Sequence, residues 1–339
     1  MNNTNRFKSI FAPFIISYIE KKKLQGFGTE RYRSYLSEFD HFWVDIAKKD
    51  LYIKSEELKD WVNTRINDKQ STLYARICVI SNFCRYMSNL GYECYIPKRP
   101  KISFNNRHST IFTHQQIQII FTECDNLVSR IRNPKSITII IPTLIRLLYS
   151  TGIRINEAMS IKNSDIDFSK KTIIINDTKN NRQRIAPINE SLELVLEQYI
   201  VYRNKITAPN IAKPDSYFFI SVLGKPCSHI TVYRYFDRIL EKCRLQRNEN
   251  INTASLHSLR HTAAVHSLVK LTQSGKDLYC SLPLLSVFMG HKSILGTEYY
   301  IKLTQEMYPE LLKLDMKVTD QIFAHINSKL KENDENENN

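Results

Sequence analysis

The chain has 339 residues, of which 42% are hydrophobic and 24% charged, the composition of a globular protein with a sizeable core. That length suits two domains better than one. The 48 Lys and Arg residues exceed the 34 Asp and Glu residues and give a formal net charge of +14. This excess favours a polyanionic partner, with nucleic acid as the leading candidate; the alternative is a solvated surface whose basic bias has no binding role.

Cysteine spacing and hydropathy exclude several other classes of protein. The seven cysteines are scattered and form no Cys-x-x-Cys pair, so we expect neither a zinc knuckle nor a disulfide framework. Two apolar stretches, residues 10–19 and 137–148, are short and interrupted by proline. The sequence therefore predicts no membrane segment and a reducing, cytoplasmic location.

Residues 7–95 predict a run of helices. Apolar and aromatic residues recur at helical spacing in four segments, which are residues 11–19, 32–46, 58–66 and 73–90. Ser55 followed by two glutamates is typical of a helix start. The next segment, residues 96–110, is rich in proline and basic residues and indicates a linker that could lie along DNA.

From residue 111 onward the pattern predicts further helices and one small sheet. Thr113 can cap a helix, and residues 137–150 form a strongly apolar, buried one. Two extended stretches, residues 172–175 and 183–188, predict a hairpin with asparagines in its turn. The remaining helices are expected at residues 190–203, 231–243, 256–271, 284–289 and 297–327.

Short segments in this second part combine arginine and histidine. Arg154 follows a helix that ends in glycine and opens another helix, where backbone N–H groups favour an anion; alternatively it only pairs with Glu157, three residues on. His257 and Arg260 stand three apart on one helical face, so both could address the same phosphate, although such a pair is common by chance. Another histidine, His291, follows a glycine at the end of a later helix.

Taken in order, these segments resemble the tyrosine recombinase (phage-type integrase) family. The similarity rests on Arg154, a lysine in the hairpin, His257-x-x-Arg260, Gly290-His291 and a tyrosine nine residues after that histidine. It covers roughly residues 111–328, and the helical N-terminal part resembles the family's core-binding domain more loosely. The residues before the tyrosine are more similar to those of recombinases from transposons and integrative elements.

The resemblance implies a mainly α fold with a small β-sheet in the catalytic domain. It also implies four segments: residues 1–95 as a helical core-binding (SAM-like) DNA-binding domain, 96–110 as a basic linker, 111–328 as a catalytic integrase domain, and 329–339 as an acidic disordered tail.

In that family a DNA strand is cut and rejoined through a 3′-phosphotyrosine, and a 5′-hydroxyl is released. By position, Tyr300 matches the nucleophile. Tyr299 is a competitor because it is adjacent and chemically identical. On a helix the two side chains differ by about 100° in direction, so only one can face the phosphate. The spacing from His291 favours Tyr300.

The resemblance also assigns the basic residues. Arg154 and Arg260 match the arginines that hold the non-bridging phosphate oxygens. Lys179 matches the hairpin lysine that protonates the leaving 5′ oxygen. Arg182 and Arg184 are nearby rivals for that role, although arginine is a poor proton donor.

Three further roles follow from the same resemblance. His257 resembles the acid/base residue, His291 the residue that hydrogen-bonds the phosphate, and Glu157 an acidic residue that orients one of the basic groups. Because guanidinium groups take the place of divalent ions and the phosphotyrosine stores the bond energy, we expect no metal, nucleotide or other cofactor.

The implied partners are double-stranded DNA, further copies of the chain in a homotetramer on synapsed sites, and accessory recombination proteins, with no membrane. The implied location is cytoplasmic and nucleoid-associated. An apolar stretch at residues 309–330 either packs on its own domain or docks in a neighbouring subunit. Two other functions share these residues: a DNA-binding protein of the same fold without recombination activity, and a type IB topoisomerase-like enzyme.

Overall fold

The computed structural model describes residues 7–100, 110–127, 137–176, 183–245, 254–291 and 295–308. The chain divides into two units, residues 1–107 and residues 108–339. The predicted fold class, mainly helical with one small sheet, is confirmed. Within the ranges above, every helix is either too short or too polar to cross a membrane.

Four helices build the first unit, as the helical spacing predicted. They are α1 (Ala12–Leu24), α2 (Glu30–Asp45), α3 (Ser55–Asn63) and α4 (Gln70–Asn89). The helix start at Ser55 is confirmed, and the Glu57 carboxylate caps it by accepting the backbone N–H of Lys54 at 2.9 Å. The centre of the unit is aromatic: the Phe39 ring lies edge-on to Trp43 and Trp61, with centroids 5.2 and 5.3 Å away.

The second unit contains the remaining helices. They are α5 (His114–Asp125), α6 (Ile141–Thr151), α7 (Ile155–Ser160), α8 (Glu190–Arg203), α9 (His229–Lys242), α10 (Leu256–Gln273), α11 (Leu282–Met289) and α12 (Leu295–Met307). The Thr113 hydroxyl accepts the Gln116 N–H at 3.2 Å and caps α5, as predicted. Helix α6 begins later than predicted, with Pro142 in its first turn, a position that suits proline.

A three-stranded antiparallel sheet lies in the same unit. Its order is β1 (Ile166–Asp167), β2 (Thr172–Ile175) and β3 (Arg184–Pro187), with Ile173 opposite Ala186. Strands β2 and β3 are the two extended stretches read from the sequence. Strand β1 was not predicted, because two residues are too few to show an alternating pattern. The turn between β2 and β3, residues 177–182, lies outside the described residues.

Helix α10 is the centre of the second unit and positions the site. It packs against α6, α11 and α12. It is buried almost all round, which is the behaviour of a core helix rather than a surface helix. Its first two turns carry His257, Arg260 and His261, and these turns meet the C-terminal ends of α6 and α11 and the middle of α12. Beyond Met307 the predicted final helix lies outside the described residues, apart from Tyr308.

Candidate active site

Arg154 is placed by the turn that ends α6. Gly152 adopts φ +60°, and a Cβ at this position would lie 3.0 Å from Met289 Sδ, so both backbone angle and space favour glycine. Two residues later Arg154 precedes α7. Its backbone N–H donates to Glu157 Oε2 at 2.8 Å and its Nη1 donates to Oε1 at 2.9 Å. The pairing considered from the sequence is therefore present.

Glu157 is held by a second arginine as well. From β3, Arg184 Nη1 and Nη2 donate to the two carboxylate oxygens at 3.2 and 2.6 Å. The carboxylate is 2% exposed, and burial by itself would raise its pKa. The hydrogen bonds and charges of Arg184 and Arg154 outweigh burial and hold the Glu157 pKa below 4.5. Arg184, which the sequence analysis named as a rival of Lys179 for protonating the leaving oxygen, thus forms an ion pair with Glu157.

Arg260 joins the ends of two helices. Its Nη1 donates to the Gly152 carbonyl and its Nη2 to the Met289 carbonyl. These carbonyls end α6 and α11, where the helix dipole favours a positive charge. Burial, followed by the charge of Arg154, lowers the Arg260 pKa to about 10, which leaves the guanidinium protonated at neutral pH. Arg260 is therefore an architectural group as well as a cation of the site.

Tyr300, on α12, is the tyrosine that enters this cluster. Its side chain is 3% exposed, whereas that of Tyr299 is 38% exposed. The Tyr300 hydroxyl lies 3.2 Å from His261 Nδ1. Burial raises the phenol pKa above 10, and the neighbouring guanidinium groups of Arg260 and Arg154 oppose that rise.

Two histidines assigned from the sequence flank the same region. The His257 ring packs edge-on against His261, with centroids 4.5 Å apart. The His291 ring is parallel to that of Tyr300 at 6.0 Å. For both histidines, desolvation and then the charges of Arg260 and Arg154 lower the pKa, to about 4 for His291. Both imidazoles are therefore neutral at pH 7.

A hydroxyl on α12, the helix that carries Tyr300, contacts His291. Thr297 Oγ1 lies 2.9 Å from His291 Nδ1 and is fully buried. If this hydroxyl donates to Nδ1, the ring proton resides on Nε2, which is then free to donate to a phosphate oxygen. Gly290 (φ +65°) precedes the histidine, and a Cβ there would lie 3.0 Å from the Arg184 side chain. Gly290, which precedes His291, and Thr297, which hydrogen-bonds it, are therefore both closely packed.

The structure brings together five of the six residues assigned to catalysis from the sequence. The sixth, Lys179, lies outside the described residues, as does its rival Arg182. The five that share one cluster are Arg154, His257, Arg260, His291 and Tyr300. Over the described ranges, no three His, Cys, Asp or Glu side chains gather in a way that could hold a metal ion.

Sequence reasoning missed His261 and Thr297. His261 adjoins Arg260 and stands four residues after His257, so helical spacing already placed it on the face of His257. Thr297 lies one helical turn before Tyr300. Their contacts depend on how α10 and α12 pack, which no local pattern states.

Comparison with known proteins points to the same family as the sequence motifs. Residues 110–307 match the model of the phage integrase family. A putative integrase/recombinase, y4rB of Sinorhizobium fredii, is 25% identical over 90% of this chain and 96% of its own length. Tyrosine recombinase XerD of Rickettsia conorii is 24% identical over 89% of this chain and 97% of its own length.

A solved structure shows the same fold. It is the XerH site-specific recombinase bound to palindromic difH substrate in a post-cleavage complex. Its TM-score is 0.61 at 18% identity, over 84% of this chain and 78% of that one. The chain belongs to the phage integrase family of tyrosine recombinases, which break and rejoin DNA strands at specific sites.

Proposed function

We propose that Tyr300 is the nucleophile of a site-specific DNA recombinase that works through a 3′-phosphotyrosine. One observation carries the assignment: the Tyr300 hydroxyl is buried beside Arg260, Arg154 and His261, whereas Tyr299 is substantially exposed. A phenol near its usual pKa is a weak nucleophile. Cations that face its oxygen favour the phenolate and so support attack on phosphorus.

The arginines are suited to stabilise the transition state. Of the five N–H donors that a guanidinium offers, Arg260 uses two on the Gly152 and Met289 carbonyls. Arg260 also hydrogen-bonds the Tyr300 side chain. Its other donors, those of Arg154 that Glu157 does not take, and an Nε2–H of His291 are proposed to bind phosphate oxygens. A pentacoordinate phosphorus gains negative charge on these oxygens, which is where fixed donors give the largest benefit.

In the cleavage step a bond forms between Tyr300 Oη and phosphorus, and the bond from phosphorus to the 5′ oxygen breaks. The phenol loses its proton and the departing 5′ oxygen gains one. Lys179 is proposed as the donor of the second proton, and His257, the acid/base group, as the acceptor of the first. Religation reverses both bond changes with a 5′-hydroxyl as the nucleophile.

Glu157 is proposed to orient the cations rather than to react. Its carboxylate bridges Arg154 and Arg184, so it fixes the direction of the Arg154 guanidinium while both oxygens stay occupied. A group with this role acts through Arg154 and is a positioning residue.

The wider assembly is also a proposal. Residues 1–95 would form the core-binding domain and residues 96–110 the linker, so that both units contact one double-stranded DNA partner. The net charge of +14 supports this, because neutralised phosphates supply most sequence-independent affinity. A homotetramer on two synapsed sites, accessory recombination proteins, a mobile-element origin and a cytoplasmic, nucleoid-associated location complete the proposal.

A DNA substrate on which to test the assignment of Tyr300 can be selected from random sequence. A pool of nicked synthetic duplexes with a random central segment is incubated with the protein, and DNA that remains attached after denaturation is amplified and sequenced. The selected nicked duplex then serves as the probe, because loss of the short 5′-hydroxyl fragment traps the covalent complex.

Two matched variants test Tyr300 on that probe. We expect Tyr300→Phe to form no covalent complex while it still shifts the duplex in gels, because phenylalanine keeps the packing and lacks the hydroxyl. Tyr299→Phe should form the complex at close to the wild-type rate. A covalent complex with Tyr300→Phe, or none with Tyr299→Phe, would contradict the assignment.

A further inference from the structure

We infer that His261 is the positioning residue that presents the Tyr300 hydroxyl to the phosphate and thereby selects Tyr300 over Tyr299. This inference deepens the proposed function and rests on Tyr300 being the nucleophile. Neither the family resemblance nor the residues assigned from the sequence give His261 a role.

The first support is the geometry of the contact. His261 Nδ1 lies 3.2 Å from the Tyr300 hydroxyl, within hydrogen-bonding distance, and the two ring centroids are 5.6 Å apart. The ring also approaches Tyr299, at 6.1 Å between centroids, but the hydrogen bond goes to Tyr300. One imidazole on α10 therefore contacts both candidate phenols and bonds the hydroxyl of the buried one.

The direction of this hydrogen bond follows from the groups around it. Arg260 and Arg154 carry positive charge and offer only donors, so they attract the lone pairs of the phenol oxygen. The phenol hydrogen is then directed away from them, toward His261 Nδ1. In this arrangement the nucleophilic oxygen already faces the cations that are proposed to hold the phosphate.

The same surroundings argue that His261 orients the phenol and does not take its proton. Burial, followed by the proximity of His257 and the charge of Arg260, lowers the His261 pKa to about 3, which makes the imidazole a weak base. Its ring is held edge-on by His257 at 4.5 Å, so Nδ1 keeps its direction. A neutral acceptor held in place is what an orienting contact requires.

The test separates an acceptor at the Nδ1 position from simple packing. In His261→Asn the amide oxygen can occupy the place of Nδ1; in His261→Gln the acceptor is one bond further out, and in His261→Leu it is absent. The measurement is the single-turnover rate of covalent complex formation on the selected nicked duplex, with duplex affinity and thermal unfolding recorded for every variant.

A matched control lies on the same helix. His266 Nδ1 is 2.8 Å from the Tyr149 hydroxyl, and the His266 ring stacks on that of His114. His266→Leu therefore removes a second histidine–tyrosine hydrogen bond from α10. We expect this variant to unfold at a lower temperature than the wild type and to form the covalent complex at an unchanged rate.

The expected result is a rate about ten- to a hundredfold lower for His261→Leu at unchanged duplex affinity, the usual effect of removing the partner of a buried hydrogen-bonding group. His261→Asn should recover most of the rate, and His261→Gln should recover less. If His261→Leu does not fold, the inference is tested by comparing the rates of covalent complex formation of His261→Asn and His261→Gln.

A wild-type rate for His261→Leu, or equal rates for the Asn and Gln variants, would overturn the inference. Tyr300→Phe, measured in parallel, keeps the two claims apart. If that variant forms no complex while His261→Leu reacts normally, the nucleophile stands and only the role of His261 falls.

Discussion

Helix α10 carries two histidine–tyrosine hydrogen bonds that look alike and differ in their surroundings. His261 meets Tyr300 at 3.2 Å, and His266 meets Tyr149 at 2.8 Å. The His266 ring stacks on His114 with centroids 3.9 Å apart. The pair of His261 and Tyr300 instead lies beside the guanidinium groups of Arg260 and Arg154. The comparison teaches that the hydrogen bond alone does not make a reactive phenol.

The pKa directions express this difference. For Tyr149, burial and the neighbouring Tyr308 both raise the phenol pKa. For Tyr300, burial raises the pKa while Arg260 and Arg154 lower it. Two histidines of α10 thus each bond a tyrosine, and the nearby cations distinguish the pair that we propose to be catalytic from the other.

Removing Arg260 should have the largest effect on this difference. Arg260→Ala deletes a cation of the site and leaves the Gly152 and Met289 carbonyls without their donor. We expect covalent complex formation to fall below detection and the free energy of unfolding to drop by about 2–6 kcal/mol, at the usual 1–3 kcal/mol for each of the two unpaired carbonyls. Urea unfolding and the single-turnover assay check both parts; unchanged stability would show that the two carbonyl contacts contribute nothing.

Arg154→Ala removes a cation near Tyr300 and leaves the bonds from Arg260 to the ends of α6 and α11 in place. It makes the surroundings of Tyr300 more like those of Tyr149, so we expect a rate about 10²–10³-fold lower, the usual effect of losing one transition-state donor. Duplex affinity should be largely retained, because the remaining Lys and Arg residues of a chain with a net charge of +14 still attract phosphates. Arg146→Ala is the control, since Arg146 pairs with Asp125. Equal losses of affinity and rate would assign Arg154 to binding.

Glu157→Gln tests the electrostatic part of this account, because it removes the negative charge that pairs with Arg154 and Arg184. The pKa of this buried carboxyl is below 4.5 in the folded protein, so its ion pairs stabilise fully above about pH 4.5 and are lost as pH falls through the lower, folded-state value. We expect the variant to be less stable than the wild type by about 3 kcal/mol at pH 7. The difference should shrink on acidification. A difference that is independent of pH down to acid unfolding would contradict this ion-pair account.

Thr297 should give the smallest effect. Thr297→Val keeps the shape and removes the hydroxyl 2.9 Å from His291 Nδ1, so the imidazole can adopt either neutral tautomer. A rate about tenfold lower is expected, within the range of one buried hydrogen bond. Thr297→Ser should restore it, and a serine variant as slow as the valine variant would remove the tautomer argument.

Local patterns were sufficient for most helices and for the two longer strands. Helix α8 has the predicted bounds, and the helix start at Ser55 and the cap at Thr113 were readable because helix starts depend on residues a few positions apart. The start of α6 was predicted too early, since the apolar run begins before Pro142 sets the first turn. Strand β1 exists only because β2 pairs with it, and tertiary pairing of this kind leaves no signal in two residues.

The site was predictable where residue type and spacing define the chemistry. His257 and Arg260 share a helical face, so their proximity could be read directly. The double pairing of Glu157 with Arg154 and Arg184 could not, because Arg184 is 27 residues away on a strand. The bond between His261 and Tyr300 joins residues 39 apart on two helices, so only the packing of α10 on α12 reveals it.

The most direct test of the central claim is to locate the DNA on the protein. The trapped complex is digested with a nuclease and with trypsin, and the peptide of residues 293–302, which contains both adjacent tyrosines, is fragmented in a mass spectrometer. The account predicts that the nucleotide remnant lies on Tyr300. A remnant on Tyr299, or on any other residue, would contradict it.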